Sequence, residues 1–112
     1  MATKAHPGKY DCHAKAEPNE PLFIILGRDR FAEHLVRIWA ALCAMEDVRQ
    51  EKLDKISEAL HCANAMQAYR KGRPYCHVCL CTEEAGCEGG CSWANKEKTV
   101  CTTPACLAAY VI

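Results

Sequence analysis

Seven of the ten cysteines in this 112-residue chain fall between positions 76 and 106. That crowding limits the possible folds more than any other feature. The stretch reads Cys76-His-Val-Cys79-Leu-Cys81-Thr-Glu-Glu-Ala-Gly-Cys87-Glu-Gly-Gly-Cys91-Ser-Trp, then Cys101-Thr-Thr-Pro-Ala-Cys106. Its large apolar side chains are Val78, Leu80, Trp93 and Val100. So small a core cannot offset the entropy of ordering, roughly 1.5 kcal/mol per residue. A cross-link or a metal has to supply the difference. The N-terminal residues Met1-Ala-Thr-Lys-Ala-His-Pro-Gly8 hold no apolar signal core, so a cytoplasmic, reducing setting is expected. There, clustered cysteines bind metal more often than they form disulfides. A C-x2-C knuckle turns two thiolates toward one point, and a second pair downstream completes a tetrahedron. Zinc suits four thiolates at ~2.3 Å.

The best single ligand set is Cys76, Cys79, Cys101 and Cys106. Cys81, Cys87 and Cys91 form a second tier with His77. They either bind a second zinc, replace members of the first set, or pack in part as small apolar thiols. The expected cofactor is therefore zinc, one ion or two. Fully populated four-coordinate sites are structural, because a catalytic zinc keeps an open position. No His is followed by x-Glu, and Pro74-Tyr75-Cys76 is out of register with the zinc deaminase signature. H-E-x-x-H, G-x-S-x-G and a phosphate loop are also absent from the sequence. The reading is a protein that is not an enzyme.

The rest of the chain divides by composition. Residues 1–21 are polar and turn-rich and read as an extended arm. Residues 22–73 read as a strand plus a helix hairpin, and residues 74–112 as the cysteine-rich zinc module. Leu22-Phe23-Ile24-Ile25-Leu26 is an apolar run ended by Gly27, which predicts a short buried strand. Asp29 is a good N-cap. Phe31, Leu35, Ile38, Leu42 and Met45 then recur by four and three on one helical face. The pattern fades near Glu46-Asp47. A second helix is predicted from about Arg49 to Lys71, with Leu53, Ile56, Leu60 and Ala63 facing inward and Gly72 then Pro74 as its stop. The short connection implies antiparallel packing. The fold class is thus α with a small zinc-stabilised module. It consists of an antiparallel helix hairpin with one short strand, followed by a zinc-ribbon or knuckle-like segment.

Charge narrows the partners. Fourteen Lys+Arg balance fourteen Asp+Glu, which removes the electrostatic drive of a dedicated nucleic-acid coater. The one basic cluster is Arg70-Lys71-Arg73. No apolar run approaches the ~20 residues needed to cross a bilayer. Leu80, Trp93 and Tyr110, if exposed, are candidate partner contacts, as are Arg70, Lys71 and Arg73.

His6-Pro-Gly-Lys-Tyr-Asp-Cys12, Glu20-Pro-Leu-Phe-Ile-Ile-Leu-Gly-Arg-Asp29 and His34-Leu-Val-Arg-Ile-Trp-Ala40 together resemble a recurrent type of small bacteriophage and prophage protein. The stretch from Cys81 to Trp93 is similar to cysteine-rich segments of phage-encoded proteins. Those commonly close with C-x2-C, whereas four residues separate Cys101 and Cys106 here. The resemblance implies an accessory protein that binds and inhibits a host bacterial protein, such as an anti-CRISPR or other anti-defence inhibitor. Two alternatives stand beside it. One is a nucleic-acid-binding zinc protein. The other is a sponge for a nucleotide second messenger, with Arg28, Arg30 and Arg37 toward phosphates. The lack of an evident partner for the predicted strand also makes a homodimer an expectation.

Overall fold

Two helices and a loop-built cysteine module make up most of the chain. The computed structural model describes residues 2–46 and 49–110, with only the backbone of Tyr110. Four helices follow in order: α1 Cys12–Lys15, α2 Ala32–Glu46, α3 Gln50–Lys71 and α4 Pro104–Tyr110. The Glu46-Asp47 break falls partly on residues 47–48, outside the described residues.

Asp29 caps the turn that leads into α2: its Oδ1 accepts the Phe31 N–H at 2.8 Å, and its carbonyl accepts the Ala32 N–H. Gly72 ends α3 in the left-handed region at φ 68° and gives its N–H to the Ala68 and Tyr69 carbonyls. That conformation is cheap only for glycine. Nothing lies within 4 Å of a Cβ built at Gly72, so backbone strain alone should decide the effect of a substitution. Gly72→Ala is expected to cost about 1 kcal/mol, read as a lowered denaturation midpoint.

α2 and α3 pack along each other. Arg70 Nη1 donates to the Arg30 carbonyl, Arg37 Nη2 donates to Asn64 Oδ1 at 2.9 Å, and Lys52 and Lys55 lie over the Trp39 ring. As α2 is followed forward, its contacts on α3 move backward. The buried side chains are small: Ala32 and Ala40 on α2, with Ala59, Ala63, Ala65 and Ala68 beside Ile56 and Cys62 on α3. Glu33 is also buried, and Arg37 bridges it to Asn64.

Three expectations are corrected here. Among the described residues there is no strand, only isolated bridges at Tyr75–Thr82 and Trp93–Cys101. Leu22–Leu26 is irregular and mostly exposed, with Phe23 84% accessible. An apolar run becomes a strand only where another backbone accepts its ladder bonds. Both bridges lie in the cysteine module, and residue 27 instead lies against Met66 of α3. Leu53 and Leu60 stand exposed where they were expected to face inward, while Ile56 and Ala63 are buried. The buried positions of α3 are mostly alanines, and of these Ala65 packs on Leu80 of the cysteine module.

The N-terminal arm is tied down. The Tyr10 ring is buried and its hydroxyl donates to the Glu51 carbonyl, while Thr3 Oγ1 donates to the His77 carbonyl.

Candidate metal centre

The module begins with a tight turn. Within Cys76-His-Val-Cys79-Leu80-Cys81, the Leu80 N–H donates to the Cys76 carbonyl at 2.9 Å and the Cys76 N–H to the Cys81 carbonyl at 2.8 Å. Leu80 adopts φ 67°, an uncommon conformation for a branched side chain. The turn brings Cys76, Cys79 and Cys81 to one side. A second loop, Cys87-Glu-Gly-Gly-Cys91, closes with the Gly90 N–H on the Cys87 carbonyl. Cys101 arrives on a short hairpin. Ala94 N–H donates to the Val100 carbonyl, Thr102 N–H to the Ser92 carbonyl, and Asn95 Oδ1 accepts from Thr99 N–H at its tip. Cys106 sits in the first turn of α4, which starts with Pro104, a residue suited to the first helical position.

These four pieces converge. The sulfurs of Cys76, Cys79, Cys101 and Cys106 all lie within 4.8 Å of one another, and so do those of Cys79, Cys81, Cys87 and Cys101. All ten cysteines are free thiols. The Sγ separations Cys79–Cys87, Cys79–Cys101 and Cys87–Cys101 are 3.7, 3.8 and 3.9 Å. A disulfide needs about 2.05 Å. The edge of a tetrahedron with metal–sulfur bonds of ~2.3 Å is about 3.8 Å. The cluster thus has the chemistry and spacing to hold a metal ion.

Cys91 stands beside these groups: its sulfur is 3.8 Å from Cys81 and accepts the Cys87 N–H. His77 belongs to neither group. Its ring lies 4.9 Å from that of Tyr75, and its pKa is lowered by burial and then by His6. Val100 and the half-buried Trp93 pack around the cysteines.

Burial pushes the Cys79, Cys81 and Cys87 thiols up, and Cys106 to about 12. Cys101 runs the other way: burial raises it, but hydrogen bonds with the Thr103 side chain and backbone, Cys106 and Cys79 bring it down to about 6. A bound metal needs thiolates, so it must displace protons from the raised thiols. Metal affinity is therefore expected to rise with pH and collapse on acidification. Competition with a chelator at pH 6 and pH 8 checks this, and a flat profile would contradict it.

Leu80 is 3% exposed and packs on Cys62 and Ala65 of α3. It is therefore not a surface contact; the αL turn points it inward between module and helix. The side chain of Tyr110 lies outside the described residues. Arg70, Lys71 and Arg73 are exposed, but Arg70 is bound to the Arg30 carbonyl and Arg73 pairs with Glu84 at 2.9 Å. Sequence reasoning missed the outward position of the α2 stripe, since periodicity shows which residues share a face and not what covers it. Among the described residues, no helix is long and apolar enough to cross a membrane. Comparison with protein-family models, with curated proteins and with solved structures finds no match.

Proposed function

We propose that the protein is a non-enzymatic binding protein whose cysteine module holds zinc as a structural staple. The observation that carries the reading is the closed thiol set. Cys76, Cys101 and Cys106 are buried, and with Cys79 they supply four sulfurs around one point. A site filled by four thiolates has no position for a substrate or a reactive water. A rigid module lowers the ordering cost of presenting a surface.

The resemblance to small phage proteins makes a host bacterial protein the expected target, which this chain would block. Leu22, Phe23, Ile24 and Leu26 suit such a role. They are exposed apolar side chains on irregular backbone, able to enter an apolar groove of the partner. A phosphate ligand is less well served. The cleft of about 330 Å³ beside Lys71 and Arg73 is also lined by Glu83 and Glu84, and Arg37 is committed to Glu33 and Asn64.

The test compares the intact chain with a Phe23→Ser/Ile24→Ser variant, both zinc-loaded, as bait in bacterial extract. The expected result is one host protein held in fixed ratio by the intact chain and lost by the variant, with zinc content unchanged. Equal retention by both, or no stoichiometric partner for either, would contradict the reading.

A further inference from the structure

The two cysteine groups are not separate. Both contain Cys79 and Cys101, whose sulfurs are 3.8 Å apart. From this shared edge we infer a two-metal cluster in which Cys79 and Cys101 bridge the ions. Cys76 and Cys106 complete one tetrahedron, and Cys81 and Cys87 complete the other. The inference deepens the zinc-staple reading and rests on it. Two unbridged tetrahedral sites would need eight ligands. The six cysteines in these groups satisfy two ions only by sharing.

Charge points the same way. Six thiolates with two dications leave about −2, whereas two separate sites drawing on all seven cysteines and His77 would leave about −3 in one small module. Cys91 then serves as an acceptor for the Cys87 N–H beside the cluster, and His77 takes no part.

Loading the full chain with cadmium-113 tests the assignment by heteronuclear NMR. Two cadmium signals are expected, with the β-protons of Cys79 and Cys101 coupled to both. Cys81→Ser should leave one signal, and Cys91→Ser should keep two. Two signals with no shared cysteine, or loss of one on Cys91→Ser or His77→Ala, would overturn the bridge. A single signal from Cys76, Cys79, Cys101 and Cys106 would overturn the cluster and leave the staple standing. No bound metal would overturn both.

A different observation carries a second proposal. Phe31, in the turn that leads into α2, and Leu35, Ile38, Leu42 and Met45 on α2 are all exposed, Met45 at 83%. Their four-three spacing is that of a coiled-coil seam; its flanks Ala32, His34, Trp39 and Ala41 are uncharged, and charge stands only at its two ends, Arg30 over the Phe31 ring and Glu46 after Met45. The chain exposes 7949 Å², about 1,800 Å² more than the ~6,100 Å² expected of a folded monomer of its mass. A stable homodimer hides about 1,000–2,500 Å² per chain. We propose that a second copy covers this stripe, seam against seam. A seam uncharged along its middle suits this because it meets its own copy there without like-charge repulsion.

Sedimentation equilibrium of the zinc-loaded chain tests it. A dimer is expected for the intact protein, and a monomer with unchanged helix content for Ile38→Glu/Leu42→Glu. An intact chain that stays monomeric at high micromolar concentration, or a variant that remains dimeric, would overturn it.

Discussion

Cys79→Ser is expected to unfold the cysteine module while Cys12→Ser leaves it intact. Cys79 belongs to both sulfur groups, so its loss damages the site whichever group holds the metal. Structural zinc contributes about 10–16 kcal/mol of binding free energy in small domains, more than the usual 5–15 kcal/mol of total stability. Without metal, replacing one half-buried thiol by a hydroxyl would cost only about 1–3 kcal/mol. The two cases separate clearly in amide exchange. The account expects protection at Cys76, Leu80, Ala94 and Thr102, whose N–H groups are bonded within the module, to vanish in Cys79→Ser. A modest, uniform loss would mean that the thiols merely pack.

Leu80→Ala is expected to lower stability by about 2–5 kcal/mol. Leu80 is the large side chain joining the module to α3, packed with Cys62 and Ala65 and bordered by Met66 and Tyr75. Its backbone adds a second, opposite test. At φ 67° alanine bears left-handed strain of roughly 1–2 kcal/mol, which glycine avoids. Leu80→Gly should therefore be at least as stable as Leu80→Ala despite losing one more carbon. Denaturant midpoints decide this. A glycine variant weaker by about 1 kcal/mol, as in ordinary helix or strand, would contradict the turn geometry.

The helical character and the cysteine cluster were legible because each rests on local pattern. Asp29 and Gly72 mark helix ends by chemistry that acts within a few residues. The crowding of Cys76 to Cys106 in a segment with so little apolar bulk points to metal by itself. The burial of each face was not legible. Phe31, Leu35 and Ile38 read as sharing one apolar face, yet that face is exposed and the buried positions of α2 are Ala32, Glu33 and Ala40. Alanines carry little hydropathic signal, and close helix approach is a tertiary property. Leu22–Leu26 failed as a strand for a similar reason, since ladder partners cannot be read from the run itself. The sharing of Cys79 and Cys101 between two groups was also hidden, because spacing pairs cysteines but does not say which sulfur faces two neighbours.

The most direct test of the central claim is the native mass of the full chain, before and after chelation, with its free thiols counted. The account predicts bound zinc, ten free thiols after chelation, and loss of amide protection across residues 76–106 once the zinc is gone. A metal-free chain that keeps that protection through chelation, or one whose cysteines are paired as disulfides, would contradict it.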